Sequence, residues 1–174
     1  MSPNYPKLSF AILVSIYFLT IAYDPMQGSF LDNVDLPIHE TGHLIFGIFG
    51  EFIGVAGGSL FQVLFPTAFV GYFWWHGKFY SAAIVLFWVG QSILNVWVYA
   101  ADAQVMQLVL LGGLTGSEGS FHDWNYLLER FGLLDSTKTV AAVIRIIGTL
   151  TIASAAMLAI YFSFVRPANE SDHV

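Results

Sequence analysis

Residues 81–101 read SAAIVLFWVGQSILNVWVYAA, a run without a single charge. As a helix rising 1.5 Å per residue it extends roughly 32 Å, enough to cross the hydrocarbon core of a bilayer. Within it Gln91, Asn95 and Tyr99 recur every four residues, and Asp102 follows three later. Such a stripe shares one helix face and is expected to hydrogen-bond inside a helix bundle. The same apolar character returns on both sides. The sequence therefore predicts an all-α, polytopic integral membrane helix bundle with about four to six membrane segments.

The expected organisation is one transmembrane domain over 1–174, with crossings near 8–23, 37–52, 59–75, 81–101 and 139–165. The first run ends in Ala22-Tyr23-Asp24-Pro25 without a small-residue cleavage site, so it reads as a retained helix and not a cleaved signal. Asp35-Leu36-Pro37 looks like the start of a helix, with Asp as cap and Pro in the first turn. The short apolar segment 103–114 suggests a half-crossing or re-entrant piece. Residues 126–134 place Leu127, Leu128, Phe131 and Leu134 opposite Glu129 and Arg130, as in an interfacial helix.

Composition agrees. The chain has 174 residues, 56% hydrophobic and only 10% charged, with mean hydropathy +0.68. Soluble domains carry roughly a quarter charged residues, so a soluble globular fold is excluded. Six basic residues against twelve acidic ones, with no basic cluster, exclude nucleic-acid binding. With no Cys, a metal must be held by His, Asp or Glu.

That requirement gives His39-Glu40-Thr41-Gly42-His43 its weight. On a helix, residues i and i+4 share a face, so both imidazoles can bind one Zn²⁺ while Glu40 reaches its water as general base. A catalytic zinc site takes a third protein ligand. His122, Asp102 and His76 compete for that role. With the motif near the face reached by the first helix, a full crossing from 81 to 101 carries Asp102 about 30 Å away to the opposite face. The preferred third ligand is therefore His122, returned by segment 103–114 and a Gly-rich loop. Asp123 stands beside it, able to orient an imidazole from behind or to serve as ligand itself. Asp102 and Asn95 could fill either of those two roles from the end of the polar stripe. Gly54, Gly57 and Gly58 suggest either an extended segment able to pair with a substrate strand or a helix bend or close helix packing. Arg145 reads as a snorkelling side chain, unless it pairs with Glu129 or Asp135. Counting Lys78, Arg130, Lys138 and Arg145 at the motif's face places that face in the cytoplasm.

His39, Glu40 and His43 resemble, residue for residue, the motif of intramembrane zinc metalloproteases of the site-2 protease type. That family's later motif, an Asn followed by prolines and an Asp-Gly pair, is absent, and Asn95 and Asp102 match its spacing only loosely. The resemblance implies a membrane-embedded zinc metallopeptidase in a bacterial inner (plasma) membrane, with Glu40 as general base and a membrane-associated peptide as substrate. The residues themselves are also compatible with a zinc hydrolase of a lipid or small amide, and with a non-catalytic metal-binding membrane scaffold. An extended, exposed segment beside the metal favours a peptide, whereas a closed acyl-sized tunnel favours a lipid.

Overall fold

The computed structural model describes residues 3–165. Asn4 caps the first helix by accepting from the Lys7 N–H, and a proline occupies its first turn. The helices are α1 (Tyr5–Tyr23), α2 (Asp32–Phe46), α3 (Glu51–Trp75), α4 (Phe79–Ala101), α5 (Asp123–Arg130) and α6 (Thr137–Phe164). Of these, α1, α3, α4 and α6 are long and apolar enough to cross a membrane. Leu13, Ile16, Leu64, Ile146, Leu150 and Met157 point outward from them, as lipid-facing side chains do.

The core lies where α1, α4 and α6 meet. Phe18 stacks on Phe87 at 5.1 Å, surrounded by Leu94, Ile152, Ala155 and Ala159. In lipid, helices associate by close packing, which small residues permit. Gly90 and Gly148 make the α4–α6 contact: a Cβ on Gly90 would stand 2.6 Å from Ile152 Cγ1, and one on Gly148 would stand 2.8 Å from Leu94 Cδ2. Gly42 and Gly57 do the same between α2 and α3, where a Cβ on either would collide with the other's carbonyl oxygen.

Contacts fix the helix directions. Tyr80 at the start of α4 donates to the Lys7 carbonyl at the start of α1, and the Asn4 N–H donates to Ser163 at the end of α6. These three ends, with Trp75 of α3 immediately before α4, form one end of the bundle. At the other end, Arg145 of α6 donates to the carbonyl of Tyr23, the last residue of α1, and lies 4.7 Å from the centre of the Trp97 ring on α4. Arg145 thus satisfies an orphan carbonyl at a helix C-terminus and pairs with neither Glu129 nor Asp135.

Several expectations are corrected by this arrangement. Residues 37–52 do not form a crossing. They belong to the 15-residue α2 and a 3₁₀ turn, Gly47–Phe49, and α2 lies inside the same half of the bundle at which α1 ends and α3 begins. The helix starts at Asp32 and not at Pro37. Its Asp32 carboxylate reaches back to the Ser29 N–H, while Asp35, expected as a cap, is buried and accepts from Trp88 and Ser92 on α4. Helix α3 runs unbroken from Glu51 to Trp75, so Gly54, Gly57, Gly58 and Pro66 lie inside it and the glycines serve close packing. Residues 103–114 form turns and one isolated bridge, Val109 to Thr115, instead of a re-entrant piece. The interfacial helix is α5, ending at Arg130 and not Leu134. Because α2 does not cross, α4 runs towards the motif's end of the bundle and delivers Asp102 there. Lys78 moves to the opposite end from Arg130, Lys138 and Arg145, leaving these three basic residues at the motif's end against Lys7 and Lys78 at the other among the described residues.

The Gly90 contact is open to overpacking, because the atoms a Cβ would meet include the Ile152 backbone nitrogen at 3.0 Å. Gly90→Val is expected to cost about 1–3 kcal/mol, the usual range for forced core insertions. A lowered Tm of the detergent-purified protein, with unchanged helix content, checks it.

Candidate metal centre

His39 and His43 stand one turn apart on α2, their ring centroids 4.8 Å apart. With Glu40 they offer ligand atoms all within 4.8 Å of one another, a group able to hold a metal ion. Each ring is anchored through Nδ1. His43 Nδ1 lies 2.9 Å from the Gly54 carbonyl, and His39 Nδ1 lies 3.0 Å from Gln62 Oε1.

These bonds settle where the protons sit. A carbonyl can only accept, so His43 carries its hydrogen on Nδ1. For His39 the assignment runs through a relay that begins at Asp32. The Asp32 carboxylate can only accept, so the Asn95 Nδ2 amine donates to it at 3.1 Å. Asn95 Oδ1 therefore accepts from Gln62 Nε2 at 2.8 Å, which leaves Gln62 Oε1 to accept from His39 Nδ1. Both rings thus present Nε2 lone pairs on the same side. A hydrogen bond to the far nitrogen of a ligating imidazole fixes its tautomer and orientation and raises its basicity.

Both Nε2 atoms face one carboxylate oxygen. Asp123 Oδ2 lies 3.0 Å from His39 Nε2 and 3.1 Å from His43 Nε2. Donors arranged tetrahedrally around a metal at about 2.0–2.1 Å are about 3.3 Å apart, so this spacing suits a small divalent cation. A cation also resolves a conflict. With both Nδ1 positions already protonated, Nε2 contacts to the carboxylate would otherwise require two imidazolium rings on one carboxylate. Beside the donors, α3 leaves a gap: a Cβ on Gly58 would stand 2.6 Å from each Nε2. The residues present therefore fit a metal.

Three consecutive residues of α5 lock this arrangement. Asp123 donates its N–H to the Tyr99 hydroxyl at 3.0 Å, Trp124 Nε1 donates to Ser59 Oγ, and Asn125 Nδ2 donates to the Ala103 carbonyl. Asp32, Asp35 and Asp102 accept hydrogen bonds from named partners, and Asp123 faces the two imidazoles. Glu40 differs from them in bonding to no described side chain, and it lines an open cleft of about 730 Å³ with His39, His43, Tyr99 and Asp123.

The remaining expected site residues fall as follows. His122, the preferred third ligand, turns away. Its Nδ1 accepts from the Asn125 N–H as the cap of α5, and its buried Nε2 stands 3.4 Å from Asp102 Oδ2 outside hydrogen-bond geometry. Burial pushes the His122 imidazole below its ordinary value, against the pull of Asp102. Asp102 holds the loop that follows α4, accepting from the Gln107 and Leu108 N–H groups. Asn95 sits in the relay behind His39. His76 lies at the far end of the bundle, bonded to the Tyr72 carbonyl. Sequence reasoning overlooked Gln62 and Asp32. A lone Gln in an apolar 25-residue helix was a usable signal, since polar groups in membrane helices are costly unless partnered.

The class defined is a helical membrane bundle carrying a His-Glu-His group able to hold a metal ion. No family model, curated protein or solved structure matches the chain.

Two substitutions probe the geometry. Gly58→Ala is expected to push both imidazoles off their Nδ1 anchors, abolishing stoichiometric metal binding while leaving helix content intact. Gln62→Leu breaks the relay and should weaken metal binding about 10–100-fold. Metal analysis and competitive titration of the purified variants measure both.

Proposed function

We propose that the protein is a zinc-dependent hydrolase that cleaves peptide bonds of membrane-associated chains. The observation that carries this reading is the convergence of His39 Nε2, His43 Nε2 and Asp123 Oδ2 at the floor of an open cleft, with Glu40 beside them and bonded to no described side chain. In this reading His39, His43 and Asp123 hold the ion, Asp123 replacing His122 as third ligand, and Asp102 and Asn95 support from behind. A Zn²⁺ held there supplies a water of pKa near 7 and polarises a carbonyl. The Glu40 carboxylate takes the proton as the water oxygen bonds to the carbonyl carbon. When the C–N bond breaks, Glu40 returns that proton to the leaving nitrogen. The half-buried position of Glu40 next to two ligands keeps this shuttle within reach of the reacting atoms.

A peptide is favoured over a lipid by the cleft wall. Leu108–Leu111 runs along it outside any helix, with the Leu110 N–H bonded to Leu114 while those of Val109 and Leu111 donate to no described residue. Free backbone donors along an edge suit an extended polypeptide. The cleft is open to one side, unlike an acyl-sized tunnel.

Glu40→Gln is expected to retain zinc near one equivalent and to lose hydrolysis. The test compares new peptide termini, by quantitative mass spectrometry, in membranes from cells expressing wild type or Glu40→Gln. Termini confined to wild type support the reading, and identical profiles with altered lipid composition would redirect it to lipids. Identical peptide and lipid profiles reject hydrolysis. Ligand choice is tested separately: Asp123→Ala should lower zinc affinity at least about 100-fold, more than His122→Ala at equal expression.

A further inference from the structure

Hydrolysis of a carbonyl places negative charge on its oxygen in the transition state, and donors fixed in advance around that oxygen are usually the largest source of acceleration. Most of the donors around the metal centre are already committed. The Nδ1 hydrogens of His39 and His43 go to Gln62 and Gly54, and the Gln62 amide goes to Asn95. The Asn95 amide goes to Asp32, the Trp124 indole to Ser59, and the Asn125 amide to Ala103. Even the Asp123 backbone N–H is taken, by Tyr99.

Tyr99 is different. Its hydroxyl oxygen accepts from the Asp123 N–H at 3.0 Å, and no described residue accepts the proton of that hydroxyl. The ring is pinned between two imidazoles, its centre 6.0 Å from that of His39 and 4.4 Å from that of His122. The side chain also lines the cleft together with Glu40 and Asp123. A hydroxyl whose lone pair is held by one N–H must direct its own hydrogen elsewhere. Ser120, the other hydroxyl in the lining, belongs to the loop and bonds to none of the metal-centre side chains. The polar stripe on α4 thus supplies a rigid, free donor beside the metal centre.

We propose that Tyr99 is a catalytic residue whose phenolic O–H stabilises the oxyanion formed when water adds to the substrate carbonyl. This rests on the hydrolase reading above. As the water oxygen bonds to the carbonyl carbon, the C=O π pair moves onto the carbonyl oxygen, and the Tyr99 O–H donates a hydrogen bond to it without transferring its proton. Glu40 holds the proton removed from water. When the C–N bond breaks, the carbonyl re-forms, Glu40 protonates the nitrogen, and Tyr99 is unchanged. The hydroxyl's bond to Asp123 fixes the donor before substrate arrives.

The experiment uses full-length detergent-purified protein loaded with Co²⁺, whose visible absorption reports the metal's surroundings, titrated with inorganic phosphate as a tetrahedral oxyanion. Tyr99→Phe removes only the hydroxyl. The expected result is Co²⁺ affinity within about threefold of wild type and phosphate affinity at least tenfold weaker, with kcat on any substrate found down about 100–1,000-fold at little-changed KM. Equal phosphate affinity in wild type and Tyr99→Phe overturns the proposal. So does a loss of Co²⁺ affinity with phosphate binding otherwise unchanged, which would make Tyr99 only a support for Asp123. A wild type that binds Co²⁺ but gives no phosphate response overturns it as well. If wild type takes up no Co²⁺ at all, the hydrolase reading fails first, and its failure is visible as such.

Discussion

A carboxylate can only accept hydrogen bonds, and that constraint at Asp32 propagates through the site. Asp32 takes bonds from Ser29, Gln91 and Asn95, and through Asn95 it sets the direction of the amide of Gln62 and then the tautomer of His39. No Lys or Arg forms an ion pair with Asp32 or Asp35 among the described residues. Their polarity is met instead by amide, indole and hydroxyl donors on α4. Buried polar groups stabilise only when the whole network is satisfied, because each orphan carries its full desolvation cost. The helix bearing the motif is therefore placed by polar pairing on one side and by glycine-mediated close packing against α3 on the other.

These two modes of contact divide the bundle. Where α1, α4 and α6 meet, the surfaces are apolar and small, and van der Waals packing around Phe87 and Ile152 holds them. Where α2 enters, directional hydrogen bonds to α4 join the glycine packing against α3. Directional contacts fix rotamers and proton positions in a way that packing does not, which suits a site where one Asp123 oxygen stands 3.0 and 3.1 Å from two imidazole nitrogens.

The sequence displayed the fold class in its uncharged runs and the metal group in the spacing of His39, Glu40 and His43. The polar stripe of Gln91, Asn95, Tyr99 and Asp102 was equally legible, since its period is that of a helix face. What was hidden was the path of the chain between elements. A 15-residue helix can be a thin crossing or a half-buried one, and length does not separate them. That single ambiguity reversed the direction assigned to α4 and sent Asp102 to the wrong end. His122 and Asp123 are adjacent, yet one caps α5 and the other begins it, so their side chains diverge. Which of two neighbours turns towards the imidazoles of α2 depends on a cap geometry that spacing does not reveal.

The first turn of α5 joins residues distant in the chain: Asp123 meets α2, Trp124 meets α3, and Asn125 meets the end of α4. The contact of Asp123 with the two imidazoles therefore belongs to no single helix and exists only once α2, α3 and α4 have met α5. A chain still threading into the bilayer, or one with a helix misplaced, carries the motif without the centre. Assembly thus acts as a proofreading step for that contact, and any ligand that binds only the assembled form raises the cost of coming apart again.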